Sequence, residues 1–317
     1  MTRASFALSC LIASLASGVS GLSAQERVWA GDRTITQISE HVFRWGSDGQ
    51  FGAYILTTEG IVLVDGHYCG SGTVQWLKEQ LDRRYDVPVR YVILSHDHQD
   101  HNCHTDLFSD TAVGVGHRNI VPHLTFEQRK SIIPAITFED EMELTVGGIL
   151  IRLLYLGPTH SDNLIQVHIP QEEVLIAIDS AKGRNLFPDF RDMDVNNQIR
   201  VMGTLANLED VDVVLPGHGP VTDQDAFVDH RHYLQTLKNT VLQHMADGLT
   251  LQEIKTLTEA SMLEEFGDYN RIDAYLVPNI VTMWDYLYRY REPNSRLTDI
   301  EAMECIEDSR SCRTSDL

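Results

Sequence analysis

Positive charge is what this chain has least of. Across 317 residues, 25 Lys and Arg stand against 46 Asp and Glu, a formal net charge of −21 at pH 7. The acidic excess is spread along the length, so a phosphate backbone meets repulsion wherever it approaches, and nucleic acid is disfavoured as a partner. Long apolar runs are also scarce. One lies at the start, from Ala4 to Val19, and no later stretch approaches the roughly 20 consecutive apolar residues that a bilayer span needs. There is no low-complexity segment and no repeat of solenoid-like period. What remains is a length and apolar content sufficient for one large domain or two modest ones with a buried core.

The first segment reads as a secretory signal peptide over residues 1–24: Arg3 precedes the apolar run, and the small Ala24 stands before Gln25-Glu26. A membrane anchor fits less well, because Ser and Gly interrupt the run. Cleavage there predicts a periplasmic or secreted protein without a membrane anchor. Four cysteines then face an oxidising compartment: Cys69, Cys103, Cys305 and Cys312. Cys305 and Cys312 are close enough to close a small tail loop. Cys69 and Cys103 make either a second bridge or two free thiols, and sequence leaves the pairing open.

Downstream, the pattern predicts strands at Ile35 to Arg44, Ala53 to Thr57 and Ile61 to Val64, then a helix capped by Ser71 and ending near Tyr85. The near-continuous apolar run Val89 to Leu94 suits a strand covered on both faces. A second group follows, with strands at Met142 to Val146, Ile149 to Leu156, Leu164 to Ile169 and Val174 to Ile178. A helix across Val195 to Leu208 and a strand at Val211 to Leu215 complete it. This alternation favours an α/β fold of two sheets packed face to face with helices outside, a four-layer αββα sandwich. We therefore expect a catalytic domain over 25–222, a helical extension over 223–292 and a polar tail over 293–317. The extension carries candidate helices at Asp225 to Asp247, Leu251 to Leu257 and Ala274 to Tyr290.

Directly after the Val89 to Leu94 strand, the segment Ser95-His96-Asp97-His98-Gln99-Asp100-His101-Asn102 packs three imidazoles and two carboxylates into six positions. Three further segments complete a metal-ligating pattern: Gly157-Pro158-Thr159-His160 after a strand, Ile176-Ala177-Ile178-Asp179 at the end of one, and Leu215-Pro216-Gly217-His218-Gly219-Pro220 after another. Each puts a ligand-type residue at the carboxyl end of an apolar strand, where α/β folds gather their sites.

In this order the residues resemble the metallo-β-lactamase superfamily, whose H-x-H-x-D-H signature stands here as His96, His98, Asp100 and His101, followed by His160, Asp179 and His218. The resemblance covers roughly Ile35 to Pro220, and the fold it implies is the αββα sandwich. It further implies two Zn²⁺ per chain: one held by His96, His98 and His160, a second by Asp100, His101 and His218, with Asp179 bridging. The chemistry is consistent, since imidazole and carboxylate suit zinc, and two ions roughly 3.5–4 Å apart can share a hydroxide and clamp a polarised carbonyl. Asp100 is the catalytic candidate, able to ligate and to orient that hydroxide without any Ser or Cys nucleophile. Asp65 is expected to brace the ligand loop, and His67 and Tyr68 to line the cleft. Asp97 and Gln99 alternate away from the ligands, and His104, His117, His123 and His168 fit no ligand position.

Substrate is read from other positions. His160-Ser161-Asp162-Asn163 and Asp179-Ser180-Ala181-Lys182 resemble the corresponding segments of secreted metallo-β-lactamases of the first subclass. By that resemblance Lys182 binds the carboxylate of the antibiotic and Asn185 contacts its carbonyl. Two departures are present: Asp179 stands in place of a cysteine ligand and His101 is added, the ligand set of glyoxalase II-like thioesterases, lactonases and related phosphodiesterases. The leading expectation is a secreted dinuclear zinc hydrolase opening a cyclic amide of β-lactam type by a metal-held hydroxide. The alternatives are a lactonase, thioesterase or other ester hydrolase, and, beyond these, a metal-binding module without turnover or a mono-iron oxygenase. The C-terminal helices either cover the cleft, acting on a small-molecule substrate, or support packing and oligomerisation. Tyr286, Tyr288 and Tyr290 are expected in core or interface.

Overall fold

Apolar strands covered on both faces organise the molecule, as seen in a computed structural model that describes residues 31–289. The segment expected as a signal peptide, Tyr290, Cys305, Cys312 and the expected polar tail lie outside these residues. The first sheet opens with an antiparallel meander of β1 (Thr34–Gln37), β2 (Val42–Ser47), β3 (Gln50–Thr57) and β4 (Gly60–Val64). It continues in parallel through β5 (Val89–Leu94), β6 (Val113–His117) and β7 (Ile136–Phe138), with the seven strands in sequence order. The helices α1 (Thr73–Arg84), α2 (Gln99–Asn102) and α3 (Ile120–Phe126) connect these strands. The second sheet has five strands: β8 (Glu141–Val146), β9 (Ile149–Tyr155), β10 (Ile165–Ile169), β11 (Val174–Ile176) and β12 (Val213–Leu215), with α4 (Val195–Leu205) crossing between the last two. Then come α5 (Asp225–Ala246), α6 (Leu251–Phe266) and α7 (Ile272–Arg289).

Four layers follow from where the apolar side chains go. Between the sheets, Val62, Val64 and Ile93 meet Ile151, Val167 and Ile176 in a central core. On the outer face of the first sheet, Leu63, Val92 and Leu94 pack with Val74, Leu77 and Leu81 of α1. On the outer face of the second, Leu175 and Val214 pack with Val201, Met202 and Leu205 of α4 and Phe227 of α5. All five residues of β4 and of β10 are buried, as strands covered on both faces require. The expected αββα sandwich is the observed architecture.

Several boundaries differ from expectation for identifiable reasons. The single strand expected over Ile35 to Arg44 is two, because the chain reverses at Ser39 and pairs Thr34 with Gly46. The turn from β2 to β3 is Asp48-Gly49, whose φ values of 52° and 79° are both left-handed, the geometry in which a two-residue hairpin matches strand twist. The first helix begins at Thr73 after Gly72, and Ser71 Oγ accepts from Thr73 N at 3.2 Å just outside it. The sixth helix runs nine residues beyond Leu257 to Phe266, started by a capping box in which Thr250 and Glu253 exchange bonds. Together the last three helices enclose a further core with Leu186, Phe187, Phe190 and Met193, residues of the loop that leaves β11. No helix among the described residues is long and apolar enough to cross a membrane.

Candidate metal centre

The carboxyl ends of five strands converge. Past β4 comes Asp65; past β5 come His96 and His98, with Asp100 and His101 on α2; past β9 comes His160; past β11 comes Asp179; and past β12 comes His218. These form two groups of metal-ligating type whose donor atoms lie within 4.8 Å of one another: His96, His98, His160 and Asp179, and Asp100, His101, Asp179 and His218. All seven expected ligand residues are therefore brought together, with Asp179 common to both groups. His104, His117, His123 and His168 belong to neither.

Asp179 is the hub. Its Oδ2 lies 3.5 Å from His96 Nε2, 3.3 Å from His160 Nε2 and 3.5 Å from His101 Nε2. On the other oxygen, Oδ1 is 3.4 Å from His218 Nε2 and 2.9 Å from Lys182 Nζ. Burial pushes its carboxyl up, but Lys182, His218 and His101 outweigh that and hold it well below the usual range, so it stays ionised. Its φ of 51° and the 65° of Asp65 put two non-glycine residues in the left-handed region, each at the end of a strand beside the site. Such conformations persist only where the surrounding structure imposes them.

In the first group, His98 Nδ1 and His160 Nε2 approach to 2.9 Å. Asp65, fully buried, accepts from Ser95 N and from Ser95 Oγ, each at 2.7 Å. Because the Ser95 hydroxyl donates to Asp65, it is free to accept from His96 Nδ1 at 2.9 Å. That chain fixes the proton on Nδ1 and leaves a lone pair on Nε2, which is buried and makes no hydrogen bond. Burial and the neighbouring His98 lower the His96 pKa, which keeps the ring neutral. An unprotonated, orphaned ring nitrogen facing three other donors is what a divalent cation requires, and the imidazole–carboxylate set fits it.

In the second group, Asp100 Oδ2 lies 3.5 Å from His101 Nε2 and 3.2 Å from His218 Nε2, and the two imidazole Nε2 atoms are 3.1 Å apart. Burial opposes protonation of His101, but Asp100, Asp179 and Asp65 together raise it to about 9. The same surplus of negative charge that holds a proton on His101 is available to a cation, which would displace that proton. Asp100, pulled down by His101 and His218 against the effect of burial, remains ionised and able to ligate a cation.

Other expected residues find varied places. Asp65 braces the ligand loop as anticipated. His67 is fully buried rather than lining a cleft: its Nε2 lies 3.3 Å from Ser47 O, and burial lowers its pKa to about 4. Asp97 turns away from the ligands and accepts from Asn163 Nδ2 at 2.8 Å. Cys69 and Cys103 form a disulfide, with Cα atoms 5.0 Å apart, that ties the loop after Asp65 to the residue two beyond His101. Lys182, besides pairing with Asp179, lies 4.6 Å over the Phe187 ring. Asn185 is half-buried, its backbone bridging to Asn270 and its amide facing Gly219.

Four contributors escape sequence reasoning. Phe187 stacks on His160 with centroids 4.8 Å apart, and buried His230 of α5 packs tilted against Phe187 at 5.2 Å. Gln50 Nε2 donates to Asp100 Oδ2 at 3.0 Å. Arg44 donates to Pro216 O at 3.0 Å and Gly219 O at 2.6 Å, on either side of His218. Gln50 and Arg44 lie in a hairpin far from the ligand motif, and only the three-dimensional pairing reveals them.

A sandwich of this topology with two His/Asp clusters sharing one carboxylate defines a metallo-hydrolase-type centre. The chain matches the metallo-beta-lactamase superfamily over residues 50–218, more than half its length, and belongs to that family. It is 24% identical to 2,4-dinitroanisole O-demethylase subunit alpha of Nocardioides sp. (strain JS1661), over 80% of this chain and 79% of that protein. To the metallo-beta-lactamase type 2 of Bacillus sp. (strain 170) it is also 24% identical, over 66% of this chain and 83% of the other. Among solved structures, the metallo-beta-lactamase from Pontibacter korlensis superposes with a TM-score of 0.58 at 21% identity, covering 64% of this chain and 99% of that one. The sec-alkylsulfatase Pisa1 from Pseudomonas sp. superposes with 0.64 at 15%, covering 83% and 51%. These last two likenesses concern the fold.

Proposed function

We propose that the chain is a secreted two-zinc hydrolase that opens a cyclic amide of β-lactam type. The observation that carries the reading is the pair of clusters joined at Asp179 with a lysine ammonium 2.9 Å from the shared carboxylate. His96, His98 and His160 would hold one ion, Asp100, His101 and His218 the other, and Asp179 both; zinc so held supplies an activated water and Lewis-acid polarisation of the scissile carbonyl. The remaining work falls to the chain. Asp100, ionised and held by Gln50, accepts a hydrogen bond from the attacking water and orients it. Lys182 is released from its pairing once the charge of Asp179 is taken up, and its ammonium then meets the substrate carboxylate. Asn185, beside Gly219, is the candidate donor to the carbonyl. Phe187, stacked on His160, keeps one wall apolar and excludes water.

A second reading has its own support. The matches to β-lactamases take in about two-thirds of the chain, whereas those to the demethylase subunit and the alkylsulfatase take in about four-fifths. An ester or ether substrate, enclosed by the helices whose core includes Phe187, follows from that. One experiment separates them: steady-state hydrolysis of a panel of β-lactams, lactones, thioesters, phosphodiesters and aryl ethers by the zinc-loaded protein, with Lys182→Ala alongside. The lead reading expects β-lactam turnover with KM raised at least about tenfold in the variant, the loss of one charge-assisted contact of roughly 1.5–3 kcal/mol. No β-lactam turnover, or an unchanged KM, removes it.

A further inference from the structure

Two pockets that share one carboxylate need separate supports if they are to bind ions independently, and the supports here are different. The first pocket is held from behind by Asp65 and Ser95 through His96. The second rests against the β2–β3 hairpin at three points. The guanidinium of Arg44, only 7% exposed, spans the His218 loop by donating to Pro216 O at 3.0 Å and Gly219 O at 2.6 Å. The same group lies 3.6 Å over the Phe51 ring, which fixes its rotamer. Phe51 N donates to Gly217 O at 2.9 Å, and Gln50 pairs with His218 in an antiparallel bridge. From that bridge Gln50 reaches Asp100 Oδ2 at 3.0 Å. Gly217 closes the arrangement on the opposite side: a Cβ there would stand 2.7 Å from His101 Cε1, so the loop is pressed between the hairpin and an imidazole of the pocket.

We propose that Arg44 and Gln50 are positioning residues that set the geometry, and hence the cation affinity, of the Asp100/His101/His218 pocket without acting on the other. This rests on the two-cation reading above. Arg44 acts through the backbone on either side of His218, and Gln50 acts directly on Asp100. Neither contacts His96, His98 or His160 in any hydrogen bond of the structure. A purely structural arginine would instead affect both pockets equally, through the stability they share.

The test is isothermal titration of zinc into chelator-stripped full-length protein. The wild type is expected to show two binding steps. In Gln50→Leu and Arg44→Met one step weakens by roughly 10–100-fold, the effect typical of losing a residue that orients ligands, while the other is unchanged. Arg44→Lys, which keeps the charge but can reach only one of the two carbonyls at a time, falls between. Asp65→Asn is expected to weaken the opposite step. Should Arg44→Met fail to fold, Gln50→Leu carries the test, with its unaffected step as proof of folding. Equal weakening of both steps, or no change in either, overturns the hairpin proposal and leaves the two-cation reading standing. A wild-type titration that saturates at one zinc per chain overturns that reading and the hairpin proposal with it.

Discussion

Replacing Asp65 by asparagine separates the stability of the fold from the competence of the site. Asp65 is fully buried, and burial pushes its carboxyl up to about 6 against 3.8 for an ordinary aspartate, despite His101 and the two Ser95 bonds. At pH 7 the group is ionised in both folded and unfolded chains, so the raised value opposes folding by about 3 kcal/mol. That opposition is complete above pH 6 and fades as the pH falls towards 3.8, because the folded chain binds the proton first. Asparagine is isosteric and uncharged. Its Oδ1 keeps the bond from Ser95 N, but Nδ2 must donate to Ser95 Oγ where the carboxylate had accepted. Allowing about 1 kcal/mol for that weaker bonding, urea unfolding of the metal-stripped variant at pH 7 should show stability equal to wild type or up to about 2 kcal/mol higher. The site fares differently. With Oγ now accepting from the amide, the Ser95 hydroxyl proton turns to His96 Nδ1, 2.9 Å away, and the ring must carry its own proton on Nε2. The lone pair facing the cluster disappears, and zinc affinity of that pocket should drop roughly 10–100-fold. Unchanged affinity would refute the tautomer argument, and a stability loss of several kcal/mol would refute the charge argument.

Reduction of the Cys69–Cys103 bridge, or Cys103→Ser, opens a loop of 34 residues, which the chain-entropy estimate values at about 3–4 kcal/mol; denaturant unfolding with and without reductant checks it, and coincident curves would contradict it. The Glu172 carboxyl is held below the usual range: burial raises it, but the neighbouring Ser39 and His41, whose Nδ1 lies 2.7 Å from it, outweigh that. Its contribution is therefore present above the ordinary glutamate range and lost as pH falls through the folded value, so Glu172→Gln should flatten the acid limb of a Tm–pH curve; parallel curves would show that the pair contributes nothing. Phe187→Ala empties a buried site between His160 and His230 and should cost about 3–5 kcal/mol by urea unfolding; a loss under about 1 kcal/mol would mean that the loop collapses to fill the space.

The seven residues of the two clusters were legible because each follows an apolar strand, and a strand's carboxyl end is a place that sequence can locate. His96 after Leu94 and His218 after Leu215 stand at the ends of apolar runs that the sequence itself marks as strands. Of the residues that support the clusters, Asp65 was legible because it ends an apolar strand, but Gln50 and Arg44 were not, because their partners are distant in sequence: Gln50 reaches Asp100 and Arg44 reaches a loop 172 residues away. Between Cys103 and Glu141 the elements were missed altogether. In β6, Gly114 and Gly116 erase the apolar alternation, and the space beside them is tight: a Cβ on Gly114 would stand 3.1 Å from Ile133 O. Strand β7 has only three residues, and α3 carries Pro122 within seven. The length of α6 was hidden for the opposite reason: its second half presents mostly polar residues to solvent, and Met262 and Phe266 alone mark the buried stripe. His67 was misplaced because proximity to Asp65 in sequence says nothing of direction; the chain turns it inward beneath Trp45.

The central claim is that two cation pockets joined at Asp179 drive a hydrolysis. Metal content and turnover measured on one preparation test it most directly. The account predicts about two zinc ions per chain, hydrolysis that disappears on chelation and returns with zinc, and loss of both an ion and turnover in His218→Ala. One iron per chain, no bound metal, or hydrolysis that survives complete chelation would contradict it.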